Sequence, residues 1–285
     1  MNVLKDYKIG IIGGNGQVGC FFRNLFEEDG IKVLVSDLDT NLSNREVAKR
    51  SDIVIISVPI DKTLVVITEV LPEMTKDKLF MDVTSIKSEP VEAMLNSEAD
   101  VIGMHPMFDP SVKSIKNQTI ILTPARDRRR WLERIKSYFQ KKQVFVKVTT
   151  SEEHDRMMSL IQVLVHFTTV SVGVTVSKLG FDLKETLDYT SPIYRLELGI
   201  IARIFAQNGG MYGNIFMKNL HTTQVLEEYK HSIEEVSRLI LTKDLGGFIE
   251  MFEQTSNFFN SFKSSAVNES DYLISKLVEY NGKKS

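Results

Sequence analysis

The run Gly14-x-Gly16-x-x-Gly19 stands between an apolar stretch, Lys8 to Ile12, and an apolar helical segment, Cys20 to Phe26. Strand, glycine turn and helix in that order make a cradle for a dinucleotide pyrophosphate. Gly14 is expected to permit the tight turn, Gly16 to let the phosphates approach the backbone, and Gly19 to let the helix pack closely on the strand. Asn15, Gln17 and Val18 complete the loop, whose amides face the phosphates at the positive end of the helix. Asp37 closes the next apolar run, where an acid receives the ribose hydroxyls of NAD; the competing reading is an acid on a surface loop. Its charge would repel a 2′-phosphate, and no Lys or Arg follows until Arg45, so NAD is expected over NADP. Ser57, Val58 and Pro59 end a later strand and should lie beside the cofactor, with Thr63 on the helix that follows.

Three further clusters carry groups fit for chemistry: Asp82 to Lys87 with Ser85, His105-Pro106-Met107-Phe108, and Ser191 to Leu198 with Arg195. The first two follow strands, where side chains emerge toward ligands in parallel sheets. Gln162, His166, Thr169 and Gly173 are spaced four, three and four apart, one stripe of a helix that could line a site. For His166 the equal alternative is a histidine buried for its hydrogen bonds alone. His154-Asp155 reads either as a substrate contact or as a cap and network pair. Cys20 reads as packing, because no histidine motif adjoins it. No metal is expected.

Elements must hold these groups in place. Lys8–Ile12, Lys32–Ser36, Ile53–Val58, Leu79–Val83, Val101–Met104, Thr119–Leu122 and Val144–Val148 read as strands, continuously apolar as in a parallel sheet covered on both faces. Thr150-Ser151-Glu152-Glu153 fits a capping box in which Glu153 reaches back to the cap. Beyond it only helices are predicted: 152–179, 192–207, a segment after Tyr212 through about Leu241, 245–262, and a last one toward Tyr280. The expected domains are therefore 1–149, nucleotide-binding, and 150–285, helical. The basic run Arg126, Arg128, Arg129, Arg130 reads as the solvated face of a crossover helix.

Composition limits the partners. The balance of 35 Lys+Arg against 37 Asp+Glu leaves no field directed at nucleic acid or an anionic membrane. A lone cysteine and an N-terminus without a signal-like apolar run point to the cytoplasm. The uncharged stretch between Arg156 and Lys178 is long enough to span a bilayer, but Gln162, His166 and several Thr and Ser residues favour a helix buried in protein.

Taken together, GGNGQVG, SVPI, DVTSIK, HPMF, EHD, QVLVHF and SPIYRLEL followed by ARIFAQ resemble the prephenate dehydrogenases over nearly the whole chain, most closely the dehydrogenase half of the fused chorismate mutase/prephenate dehydrogenases. The resemblance implies a Rossmann-type, mostly parallel sheet followed by an all-helical dimerisation domain that completes the active site. It implies a homodimer; a dehydrogenase with no mutase domain before the nucleotide fold and no regulatory domain after the helices is expected. It also implies NAD-dependent oxidative decarboxylation of a small cyclohexadienyl dicarboxylate, prephenate. On that match His105 accepts the hydrogen bond or proton of the C4 hydroxyl, Ser85 orients His105 or that hydroxyl, and Arg203 anchors a carboxylate. Arg195 is expected behind it, paired with Glu197 or another acid. Gln162, His166 and His154 are expected at the substrate. One position departs from the pattern: Asp109 follows HPMF where the family has glycine. Asp109 either faces solvent or serves an ammonium-bearing substrate such as arogenate or 4-amino-4-deoxyprephenate. A cofactor-binding sensor without catalysis is the remaining alternative.

Overall fold

A computed structural model of the chain describes residues 3–283. The strands are β1 Lys8–Ile12, β2 Lys32–Ser36, β3 Ile53–Ile56, β4 Leu79–Asp82, β5 Asp100–Pro106, β6 Thr119–Arg126 and β7 Phe145–Val148. Between them run α1 Gln17–Glu28, α2 Asn44–Arg50, α3 Ile60–Val70, α4 Ser88–Met94 and α5 Trp131–Lys141. The sheet has the order β2-β1-β3-β4-β5-β6-β7, parallel throughout except for the antiparallel pair β5 and β6. The chain leaves β1 toward β2 on one side and returns to β3 on the other, which opens a switch point at the carboxyl end of β1.

Both faces of the sheet are buried, the physical reason its strands are apolar without alternation. In β3, Ile53 and Ile55 enter the core that includes Phe22, Trp131 and Phe139, while Val54 and Ile56 enter the opposite core with Val47, Ile67 and Val91. The basic run is not a helix face. Arg126 ends β6 and donates to the carbonyls of Leu95, Ser97 and Ala99, and Arg128 pairs with buried Asp100. The guanidiniums there tie down the loop between α4 and β5, whose carbonyls lie outside any helix.

The remainder is helical: α6 Ser151–Met158, a π-helical turn Ser159–Leu164, α7 Val165–Leu179, α8 Leu183–Thr186, α9 Pro192–Phe205, α10 Gly209–Lys218, α11 Thr222–Leu241, α12 Leu245–Phe259 and α13 Phe262–Gly282. Thr150 caps α6 by accepting from Glu153 N at 3.2 Å. Glu153 does not complete the box, since Arg156 takes both its carboxylate oxygens at 2.8 Å. The single segment expected after Tyr212 is two helices, broken where Asn219 Oδ1 accepts from His221 N at 2.9 Å.

The chain divides into two compact units, one running through Ser159 and including Gly213–His221, the other made of Leu160–Tyr212 and the residues from Thr222 onward. Helix α6 and the Asn219 turn thus belong with the sheet. In the helical unit α7 packs on α9 through Gly173, where a Cβ would stand 2.1 Å from the Phe205 ring. Gly173 therefore serves a helix crossing and not the site stripe expected of it. Phe181, Tyr189, Phe258 and Phe262 remain largely exposed in the single chain. The segment Ser151–Leu179 is long and apolar enough to cross a membrane by length and composition alone.

Candidate active site

At the switch point the glycines divide their work differently from the expectation. Gly13, with φ +84°, carries the left-handed turn, and a Cβ there would meet Ser57 O at 2.3 Å. Gly14 has ordinary backbone angles and is small because the Val35 side chain presses on it: a Cβ on Gly14 would stand 2.4 Å from Val35 Cγ1. Gly19 meets its expectation: its Cβ would lie 2.2 Å from Gly13 O, so only glycine lets α1 start against the strand end. Gly16, the residue before α1, provides no side-chain cap. The first amides of α1, from Gln17 and Val18, therefore point outward at the positive helix end without a side-chain acceptor, which suits an anionic phosphate.

Asp37 is a structured acid. Its Oδ2 accepts from Asn15 N at 2.9 Å and its Oδ1 from Leu38 N at 2.8 Å. The Asn15 side chain donates to Asp39 Oδ1 at 2.7 Å and accepts from Arg23 at 3.3 Å. Two carboxylates thus flank the ribose position, a poor setting for a 2′-phosphate. Ser57 sits behind the turn, followed by half-buried Val58 and exposed Pro59, the residue that opens α3. Thr63 does not reach a ligand: it is 1% exposed, and its hydroxyl donates to Pro59 O at 3.2 Å. The loop and the acid fit a dinucleotide, and Thr63 belongs to the scaffold.

His105 lies near the carboxyl end of β5 and is almost fully buried. Its Nδ1 stands 2.9 Å from His154 Nε2, and His154 Nδ1 stands 2.8 Å from Asp155 Oδ1. Asp155 is held in turn by Lys87 N on Oδ1 and Ser88 N on Oδ2, each at 2.8 Å, while its carbonyl accepts from Asn219 Nδ2 at 2.8 Å. Burial by itself would raise the Asp155 pKa, but hydrogen bonds from His154, Ser88 and Lys87 outweigh it and keep the carboxyl ionised. Burial, then the neighbouring His154 and Lys87, hold His105 well below the ordinary histidine value, against the pull of Asp155. At neutral pH its imidazole is uncharged.

The fully buried Lys87 ammonium pairs with Asp82 and donates to Met104 O at 3.1 Å. Thr84 donates to Asp82 Oδ2 at 2.5 Å, so the β4 end is braced from within. Burial pushes the Lys87 ammonium below its usual pKa, with Asp82 opposing. Ser85, half-buried in the bend after β4, makes no hydrogen bond to His105. The group at His105 Nδ1 is the His154 ring. His154 is 1% exposed and has no surface for a substrate; of its two readings the structure takes the network. Asp155 takes the network role read for it beside His154; its partners Lys87 and Asn219 carried no assigned role, since bonds spanning 68 and 64 residues leave no local pattern.

In the helical unit Gln162 falls in the π-helical turn, a deformation frequent at functional sites. One turn on, His166 is half-buried, its pKa lowered by that burial, with its ring edge-on to Tyr212 at 5.1 Å. Thr169 spends its hydroxyl on Val165 O at 2.8 Å. Arg195 and Arg203 are both exposed on α9, two turns apart. Arg195 makes no ion pair with Glu197 among the described residues, because side chains two apart on a helix point to different faces. Asp109 is exposed and bonded to Ser111 N at 2.9 Å, in a short turn after β5.

A glycine turn at the switch point of a doubly wound sheet, an acid at the next strand end and a buried histidine beyond it define a nucleotide-dependent enzyme of dehydrogenase type. Family models match as prephenate dehydrogenase, nucleotide-binding domain, over residues 28–148, and as prephenate dehydrogenase, dimerization domain, over residues 150–254. A probable arogenate/prephenate dehydrogenase of Methanocaldococcus jannaschii is 35% identical over 95% of this chain and 65% of that protein. The T-protein of Haemophilus influenzae is 34% identical over 94% of this chain and 71% of that protein. Among solved structures, Synechocystis arogenate dehydrogenase aligns with TM-score 0.67 at 18% identity, over 90% of this chain and 99% of its own. Prephenate dehydrogenase from A. aeolicus, in complex with hydroxyphenyl propionate and NAD+, aligns with TM-score 0.67 at 17% identity, over 87% and 96%. The chain belongs to the prephenate dehydrogenase family, and it spans about two-thirds of the length of these curated relatives.

Proposed function

We propose that the protein is an NAD-dependent dehydrogenase that oxidatively decarboxylates prephenate to 4-hydroxyphenylpyruvate. The observation that carries this reading is His105: a neutral, buried imidazole at the carboxyl end of β5, held in place through Nδ1. Bound NAD supplies the hydride acceptor. His105 takes the hydrogen bond of the C4 hydroxyl and so raises electron density at C4, from which the hydride leaves. The electron pair of the bond between C1 and its carboxylate flows into the ring, carbon dioxide departs, and the ring becomes a phenol. Because aromatisation drives the step, the protein's task is placement and charge control. Ser85 orients the same hydroxyl, and Arg203 supplies a planar, permanently charged fork for a carboxylate. Gln162 and His166 are assigned to the substrate by the family resemblance, and Arg195 to a supporting role for Arg203.

Asp37 and Asp39 support NAD over NADP. The dimerization-domain match and the exposed apolar residues of the helical unit support a homodimer, and the lone Cys20 suits a reducing cytoplasm. Arogenate is the second reading, favoured by Asp109 and by the double name of the M. jannaschii relative. Following NADH absorbance with prephenate, arogenate and 4-amino-4-deoxyprephenate tests the assignment. The highest kcat/KM is expected with prephenate; a preference for an amine substrate selects the second reading. NAD binding with no turnover of any of the three would leave a non-catalytic sensor.

A further inference from the structure

We propose that His154 and Asp155 are positioning residues that fix the tautomer of His105, so that its Nε2 carries the lone pair the reaction uses. This rests on the reading of His105 as the proton acceptor.

An ionised carboxylate only accepts, so the 2.8 Å contact between Asp155 Oδ1 and His154 Nδ1 requires the hydrogen on Nδ1. In a neutral His154 ring the other nitrogen, Nε2, then holds a lone pair. The 2.9 Å contact from His154 Nε2 to His105 Nδ1 accordingly needs the hydrogen on His105 Nδ1. A neutral His105 protonated at Nδ1 is unprotonated at Nε2. With His154 neutral the order runs one way, because Asp155 cannot reverse roles: Lys87 N and Ser88 N also donate to it, and both its oxygens are committed as acceptors. The relay is sealed, with His154 and Asp155 each 1% exposed, so water cannot exchange the roles of the two rings. A single wrong tautomer places a hydrogen where the substrate hydroxyl needs an acceptor, which is costly even when the geometry is intact.

The test combines a spectrum with kinetics. In protein labelled with 15N-histidine, the His105 ring should show protonated Nδ1 and unprotonated Nε2 at neutral pH. Nε2 protonated in the wild type would overturn the proposal. His154→Leu removes the acceptor and should lose this tautomer preference, lowering kcat roughly 10- to 100-fold, the range for partners that orient a reactive ligand, while KM for prephenate stays nearly constant. His154→Gln keeps an oxygen near the position of Nε2 and should restore both the spectrum and most of kcat. A raised KM with unchanged kcat in both variants would make His154 a substrate contact and overturn the proposal. The wild-type spectrum needs no turnover. A protein with the expected tautomer that oxidises none of the candidate substrates would refute the proposed function while supporting the positioning.

Discussion

At the scale of single residues, the site depends on uncharged His105. His105→Asn should lower kcat by roughly 10² to 10⁴ while NAD binding persists, the usual contribution of a placed acid or base; steady-state kinetics decide it, and unchanged kcat removes the role. Burial depresses the His105 pKa, helped by the neighbouring His154 and Lys87 and opposed by Asp155. In the unfolded chain His105 takes up a proton near 6.5, whereas the folded protein resists it, so the unfolded state binds more protons just below that pH. His105 should therefore contribute stability that is lost as pH falls below about 6.5, and the acid limb of the kcat/KM profile should lie on the acidic side of that value. A limb at or above it would exclude His105 as the base. Arg203→Lys keeps the charge but loses the fork, so KM for the substrate should rise roughly 10- to 100-fold with a smaller change in kcat, the worth of a charged hydrogen bond. Normal constants for that variant would end the anchor assignment.

At the scale of elements, the turn between β1 and α1 couples packing to binding. Gly19→Ala places a methyl 2.2 Å from Gly13 O and 2.8 Å from Gly14 Cα, both backbone atoms that cannot swing aside. The variant should lose about 1–3 kcal/mol of stability, the range for overpacking, and bind NAD more weakly because the cradle must open. Thermal unfolding and NAD titration report the two effects separately, and a variant with unaltered Tm and affinity would contradict the geometry. Helix α6 shows why a boundary drawn from pattern can differ from one drawn by contact. Composition changes at residue 149, where strands stop. His154 and Asp155 then bond to residues 87, 88 and 105, which ties α6 to the sheet.

At the scale of the whole molecule, the helical unit carries too much exposed apolar surface for a chain that works alone. Phe252 at 63% exposure and Phe258 at 83% on α12 are followed by Phe262 at 63% at the start of α13. Patches of this kind mark association surfaces. Analytical ultracentrifugation at micromolar concentration should show a dimer, and a stable monomer at that concentration would contradict the assembly. The apolar segment through α7, expected to be buried in protein, is largely unburied in the single chain and adds to the surface that a second chain's helices would cover in a dimer.

The sheet was legible because buried parallel strands must be apolar on both faces, and all seven strands overlap the runs that predict them, as β3 Ile53–Ile56 does the run Ile53–Val58. The glycine spacing and Asp37 were legible for a similar reason: turn, helix start and acid lie within one β-α-β stretch, where local geometry follows from local residues. Periodicity could not separate α10 from α11, nor show that Gly13 and not Gly14 takes the left-handed turn, since adjacent glycines read alike. Above all, the line Asp155, His154, His105 was decided by tertiary structure alone. Hydrogen bonds between residues 49 and 68 apart leave no periodic trace, because the chain between them is free to vary so long as the fold brings their ends together.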